Sequence, residues 1–235
     1  MIAGLLACSF AVHASSVAQA IAKSLGIDAL KPSWKSVDAA TRLDAVASGA
    51  ADIECGTTTI TLARMEKVDF SVPVFVDGGS VLVRANSKLS RLVDLKNRRV
   101  AVIAGTTTEQ ALVAQLNALG SPATLVPVKD GAEGVAQLVA GKVDGYAGDR
   151  IVLTTLRQRT AKPAALSFVD SDFSFEPFAL VVRRDDPDFR LAVNRALVGL
   201  YRSGEIDPIF QRWFAAYGQP GQLLHAMFYL NRLPE

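Results

Sequence analysis

The 235 residues read as an α/β chain built on a parallel or mixed sheet. Strand-like and helix-like segments alternate through the middle of the sequence, as βαβ units require. One phrase also occurs twice. Leu43-Asp-Ala-Val-Ala-Ser-Gly49-Ala-Ala-Asp52 and Val135-Ala-Gln-Leu-Val-Ala-Gly141-Lys-Val-Asp144 each encode a helix, a glycine C-cap, a tight αβ turn and a buried strand. Two copies of one supersecondary unit predict two similar α/β lobes. Finally, Val100–Ala104 is a continuous apolar run of the kind a parallel strand shows when both its faces are covered.

From the N-terminus, Ile2–Val12 is apolar and of signal-peptide length, Val17-Ala-Gln-Ala20 resembles a small-residue cleavage site, and Leu5-Leu-Ala-Cys8 faintly resembles a lipobox. No Lys or Arg precedes the run. The other reading, favoured here, makes Ser15–Leu25 an amphipathic helix with Val17, Ile21 and Leu25 on one face. Lys31–Val37 is expected to be a short strand around Trp34, and Ala39–Ala47 a helix that stops at Ser48-Gly49. Asp52–Cys55 is a short strand, Gly56 starts a bend, and Thr57, Thr58, Thr59 and Thr61 offer caps for a helix over Leu62–Val68. Arg64 falls in the first turn of that helix, where a cation is disfavoured unless an anion sits beside it. The alternative is a surface arginine paired with Glu66 or Asp69.

Gly79–Arg84 is extended, Leu92–Leu95 a short helix and Val100–Ala104 a strand. Thr106 and Glu109 form a capping box that opens the helix Gln110–Leu119, worth roughly 1 kcal/mol as a cap and also suited to an anion. Leu125–Val128, Gly134–Ala140 and Val143–Gly148 continue as strand, helix, strand. Asp149 then stands where a helix over Ile151–Arg157 needs its N-cap. Phe178–Arg183 is extended again. Asp186-Pro-Asp188 starts the helix Phe189–Arg202, another helix covers Ile209–Tyr217, and Gly218–Glu235 is a largely apolar tail.

Composition narrows the function. The net charge is +2 and no basic run is interleaved with aromatics, so nucleic acid is not an expected partner. The two cysteines, Cys8 and Cys55, make no disulfide framework or metal spacing, and whether they pair stays open. His13 and His225 are isolated. No metal, cofactor or catalytic set is expected: Ser-His-Asp spacing, a P-loop and a dinucleotide fingerprint are all missing.

Gly56-Thr-Thr-Thr59 with Arg64, followed by Val68-Asp-Phe-Ser-Val-Pro73, resembles the signature of the family 3 extracellular solute-binding proteins, the polar amino-acid receptors of ABC importers. Glu54-Cys-Gly-Thr-Thr-Thr59 is most similar to the glutamate/aspartate branch. The resemblance implies a two-lobed periplasmic-binding-protein fold of type II, hinged on two crossing strands, with residues 1–83 and 182–235 as lobe 1 and 84–181 as lobe 2. It also implies a strand ahead of the first helix, which has no obvious counterpart here and points to an incomplete or mis-started N-terminus. By the same resemblance Arg64 clamps a ligand α-carboxylate, Thr57 and Thr59 contact the amino-acid backbone, and Thr107 offers its N–H and hydroxyl to the carboxylate. Asp149 accepts the α-ammonium, and Arg42 can reach a distal carboxylate.

The implied function is capture of a polar L-amino acid, glutamate or aspartate first, by a monomer in the periplasm that delivers it to an inner-membrane ABC permease. Two departures point away from an acidic ligand: the missing strand, and Gly131 where that branch can carry a histidine. The alternatives are a neutral ligand such as glutamine, a dehydratase-like enzyme with Asp149 or Glu54 as its acid, or a paralogue without ligand.

Overall fold

A computed structural model of the chain describes residues 18–27, 31–214 and 218–234. The apolar run Ile2–Val12, with Cys8 and His13, lies outside the described residues. The chain divides into two compact units. The first holds residues up to Val76 and from Pro177 onward, and the second is Asp77–Glu176.

The first unit opens with helix α1 (residues 18–24), in which Ile21 and Ala22 are buried. Ile21 is buried as the expected face requires, Val17 lies outside the described residues, and Leu25 is exposed because the helix ends before it and it sits in a turn. Lys31–Val37 is not a strand: no described strand runs beside it, Pro32 lacks an amide donor, and Trp34 is exposed. Helix α2 (Arg42–Ala47) ends on Gly49 at φ +75°, and strand β1 is Ile53–Glu54. Helix α3 (Leu62–Met65) is one turn, shorter than the sequence predicts, because Val68 and Phe70 must straighten into β2 (Asp69–Asp77) to reach the core.

The second unit begins with β3 (Gly79–Arg84), a 3-10 turn at Leu92–Leu95, β4 (Arg99–Ile103) and α4 (Thr107–Ala118). It continues with β5 (Thr124–Val128), α5 (Gly131–Val139), β6 (Gly145–Asp149), α6 (Arg150–Gln158) and β7 (Leu166–Phe168). The strand order is β5-β4-β6-β3-β7, parallel from β5 through β6 and antiparallel on both sides of β3. Both faces are covered. Val81, Val83, Val100, Val102 and Ala147 point to one core with Leu112 and Leu116 of α4. Leu82, Ala101 and Tyr146, their immediate neighbours in sequence, point to the other with Leu138 of α5 and Leu153 of α6. The alternation of side chains on a strand therefore sends Val100, Ala101, Val102 and Ile103 in turn to one core and the other, while Ala104, past the strand end, is exposed.

The chain returns to the first unit through β8 (Glu176–Val182), then α7 (Pro187–Ser203), α8 (Ile206–Phe214) and α9 (Gln222–Leu230). The sheet order here is β1-β8-β2. As an edge strand, β2 has backbone groups to satisfy, and α7 supplies partners: Val72 N–H donates to Asn194 Oδ1 at 2.8 Å and Tyr201 Oη donates to the Pro73 carbonyl at 2.9 Å. The core holds Val46, Val68, Phe70, Ala179 and Val181, and Phe75 stacks on Phe178. The C-terminal tail is mostly α9, anchored by Leu224, Met227 and Phe228. No helix among the described residues is long and apolar enough to cross a membrane.

Gly134 marks the tightest helix-to-sheet approach, since a Cβ there would stand 2.5 Å from the Tyr146 ring. Gly134→Ala adds helix propensity but overpacks the core. It is expected to lose about 1–3 kcal/mol in urea unfolding, and a midpoint at or above the parent's would contradict this packing.

Candidate functional site

Four of the expected site residues meet at one bend of the first unit. From Thr57 to Ile60 the chain runs beside β8: Ala179 N–H donates to the Thr58 carbonyl, and Ile60 N–H donates to that of Pro177. Thr58 is fully buried and its hydroxyl donates to Glu54 Oε2 at 2.7 Å, which fixes the inward side of the bend. Two guanidinium groups hold the flanking carbonyls. Arg42 Nη1 donates to Thr57 O at 3.1 Å, and Arg64 Nη1 donates to Thr59 O at 2.6 Å. Arg42 and Arg64 come from different helices, so the bend is what brings them together.

Arg42 is not the solvated helix residue its position at a helix start allows. It is half-buried, and its Nε is buried with no hydrogen-bond partner. Such a donor is costly to leave unpaired and invites an acceptor from outside the fold. Gly56 leaves the room for this, because a side chain there would run into the Glu54 carboxylate and approach Arg42 Nη1. For α3 the cap is Thr61, whose hydroxyl accepts from Arg64 N–H. Asp69, one of the surface partners considered for Arg64, pairs with Arg190 at 3.1 Å. Burial, with Glu54 beside it, pushes the Cys55 thiol up to about 12, so it stays protonated and unreactive.

The other two expected residues lie in the second unit, each at a strand-to-helix turn. Thr106 Oγ1 accepts from Glu109 N–H at 3.1 Å, as a cap should, but Glu109 returns its bond to Gly105 N–H rather than to the cap residue. Thr107 is the first residue of α4, where N–H groups point out of the helix end. Its hydroxyl donates to Glu176 Oε2 at 2.9 Å, so the hydroxyl has no second proton for a ligand carboxylate and only the N–H suits that role. Glu176 is fully buried, and Ser174 Oγ donates to its other oxygen while accepting from Gly79 N–H.

Asp149 occupies the N-cap position of α6, but its side chain makes no cap hydrogen bond. Asp77 supplies that bond instead: Ile151 N–H donates to Asp77 Oδ2 at 2.9 Å, and Arg150 N–H donates to Gly78 O. Asp149 Oδ1 accepts from the buried Thr108 hydroxyl at 2.9 Å. Burial, with Asp149 and Asp172 nearby, raises Asp77 to about 7 against the pull of its bond to Ile151 N–H. Gly131, where an imidazole was considered, is the buried first residue of α5, and a Cβ on it would stand 2.6 Å from the Leu156 Cδ1, which would have to shift to admit a larger side chain. Sequence reasoning missed Asp77 and Glu176. The signal available was an acidic residue at each end of an extended run, too weak to single out. No cluster of metal-ligating side chains occurs among the described residues.

The sequence model of the bacterial extracellular solute-binding proteins, family 3, matches residues 13–216. The L-glutamate/L-aspartate-binding protein of Pseudomonas aeruginosa is 32% identical over 198 residues, covering 84% of this chain and 66% of that protein. The chain thus spans just under two thirds of that relative's length. Among solved structures, an ancestral arginine-binding protein bound to glutamine superposes with a TM-score of 0.74 at 30% identity, covering 85% of this chain and 86% of the other. An ancestral amino acid-binding protein described as a precursor of cyclohexadienyl dehydratase gives 0.72 at 30% identity, with 85% and 84% covered. The fold is that of the type II periplasmic binding proteins.

The state of Asp77 makes stability depend on pH. Its carboxyl keeps its proton in the folded chain up to about pH 7 but loses it near 4 when unfolded. Over that window the folded state binds more protons, so this group's stabilisation is present below pH 4 and is lost as pH rises toward 7. Thermal unfolding of Asp77→Asn against the parent should show the parent losing up to about 1.4 kcal/mol per pH unit relative to the variant across that range, then no further change. A constant difference from pH 4 to 8 would contradict the raised carboxyl.

Proposed function

The chain belongs to the bacterial extracellular solute-binding proteins of family 3, and on that premise we propose that it binds a polar L-amino acid reversibly for an ABC importer. Arg64, with the backbone groups of Thr57 and Thr59, takes the α-carboxylate. The Thr107 N–H adds a donor to it, and Asp149 takes the α-ammonium. Membership of an extracellular solute-binding family supports the importer's permease as the partner and the periplasm as the compartment. The protein works as a monomer.

The observation that carries this reading is the threonine bend held by two guanidinium groups. A guanidinium offers a planar fork that a carboxylate can engage bidentately, and two of them at one bend suit a ligand with two carboxylates. The partnerless Nε of Arg42 is a donor for the distal one. Glutamate or aspartate is therefore the preferred ligand, in keeping with the name of the Pseudomonas relative. Gly131 favours a second reading, a neutral ligand such as glutamine, because a glycine there offers no imidazole to an acidic side chain. The ancestral arginine-binding protein was solved with glutamine, so the scaffold accommodates that ligand. Capture, rather than chemistry, agrees with the names of these similar proteins.

Titration calorimetry with L-glutamate, L-aspartate, L-glutamine and L-asparagine tests the proposal. Arg64→Ala should cost about 2–5 kcal/mol of binding for every ligand that the parent takes, beyond the roughly 1 kcal/mol of folding stability expected from losing the bond to Thr59 O. Parental affinity in that variant would overturn the carboxylate assignment. Arg42→Met should weaken the two acidic ligands by about tenfold or more while leaving the amides within about threefold. A parent that prefers glutamine and is indifferent to Arg42→Met would establish the neutral reading instead.

A further inference from the structure

We propose that the end of the second unit at which β4, β5 and β6 begin is a docking surface for an anionic phospholipid membrane. The inference goes beyond amino-acid capture and does not depend on it.

The strand register sets this end of the sheet at Arg84, where β3 finishes, and at Arg99, Thr124, Gly145 and Leu166, where the other four strands start. Backbone bonds tie the loops there into one surface. Thr124 N–H donates to Arg98 O, Asp144 N–H to Arg99 O and Ala85 N–H to Ala165 O. The connection from β3 to β4 carries Lys88, Arg91, Lys96 and Arg98, and Arg99 opens β4; all five are exposed. Lys142, between α5 and β6, is exposed as well. Arg157, Arg159 and Lys162 surround the end of α6. Together with Arg84 these ten cations share their end of the unit with only three anions, Asp94, Asp144 and Asp170. The opposite end is the reverse. It holds seven acidic residues, Asp77 and Glu176 among them, against Lys129 and Arg150. The formal charge is therefore +7 at one end and −5 at the other.

The fold does not require this segregation. A cation near a helix C-terminus is favoured by the dipole, which accounts for Lys142 after α5 and for Arg157 and Arg159 at α6. The five from Lys88 to Arg99 lie on a connection with no α-helix. Structural bonds occupy a few: Arg84 donates to Leu138 O and Val143 O and pairs with Asp144, Arg91 pairs with Asp94, and Arg157 donates to Pro163 O. Among the described residues, no hydrogen bond or ion pair engages the side chains of Lys88, Lys96, Arg98, Arg99, Lys142 or Lys162. Like charges crowded at one end repel one another, and a surface of opposite sign relieves that repulsion.

Two observations choose the partner. The cations are spread over three connections rather than converging on one point, which suits an array of phosphates better than a single anion. A pocket of about 300 Å³ also opens at this end, lined by Arg84, Ala85, Asn86, Val139, Ala165 and Leu166. Its walls are largely aliphatic, Val139 is 59% exposed, and its one cation is the Arg84 already bonded to two carbonyls. Cations around an apolar recess match a phospholipid, which offers a charged head and an apolar body together. An acidic polypeptide answers only the charge.

The experiment is co-sedimentation of the full chain with vesicles of phosphatidylcholine, alone or with about one third phosphatidylglycerol. One variant combines Lys96→Gln, Arg98→Gln, Arg99→Gln and Lys142→Gln. A control of the same net charge combines Lys23→Gln, Lys31→Gln, Lys35→Gln and Arg212→Gln, all exposed positions of the first unit. Both are checked for cooperative thermal unfolding. The parent should bind the anionic vesicles at least about tenfold more tightly than the neutral ones, and lose that preference at about 1 M salt. The first variant should bind them at least about tenfold more weakly than the parent, and the control within about threefold of it. Equal binding to both vesicle types, parental binding in the first variant, or an equal loss in the control would each overturn the proposal. Capture by immobilised poly-L-glutamate with no binding to anionic vesicles would overturn it too, and assign the surface to an acidic protein. Should the first variant fail to fold, Lys96→Gln combined with Arg98→Gln decides the matter, with a loss of at least about threefold expected and parental binding overturning it.

Discussion

The amide groups at the start of α6 must be bonded by something, and the fold uses Asp77 and the Gly78 carbonyl to do it. Four other helix starts solve the same problem locally. Thr61, Thr106, Asp130 and Asp186 each accept from the N–H three residues ahead, at α3, α4, α5 and α7. Of the three aspartates at N-cap positions among the described residues, Asp149 is the exception. Its relief from capping lets it bond Thr108 on α4 instead, which joins two turns that are far apart in sequence. Glu176 acts in parallel on Thr107. Asp77 and Glu176 are the first and last residues of the second unit, so the points where the chain enters and leaves it also fix the turns assigned to the ligand.

The first unit reaches comparable order by different means. Its threonine bend has little regular structure of its own, only a single bridge between Thr59 and Phe178. Arg42 and Arg64 stabilise it from outside and the Glu54–Thr58 bond from inside. A loop tethered in this way holds its backbone groups in place before a ligand arrives, which lowers the ordering cost of binding.

Much of the fold was legible in the sequence because local signals and burial agree. Val100, Ala101 and Val102 of the continuous run are buried because its sheet is covered on both faces, and Gly49 and Gly141 adopt the positive φ that a C-cap asks of them. The second of these turns carries the tight bonds expected, with Lys142 N–H donating to Gln137 O. The errors fall where tertiary demand overrode propensity. Lys31–Val37 had the composition of a strand but no described neighbour to pair with, and the helix after Thr61 was cut to one turn by the pull of Val68 into the core. The short strand β7 was invisible, since three residues after a proline turn carry no periodicity. Site residues were legible as types and positions, not as partners. That Thr107 would commit its hydroxyl to Glu176, or Asp149 forgo its cap, depends on carboxylates 69 and 72 residues away in sequence. No local pattern reports a bond of that range.

The central claim is that this chain grips an amino acid by both of its backbone charges, and a crystal structure grown with L-glutamate or L-glutamine tests it most directly. The account predicts density for the ligand with its α-carboxylate oxygens within about 3 Å of the Arg64 guanidinium and its ammonium within about 3 Å of an Asp149 oxygen, Ile151 N–H still bonded to Asp77. A ligand bound with its α-carboxylate away from Arg64, or its ammonium on a group other than Asp149, would contradict it.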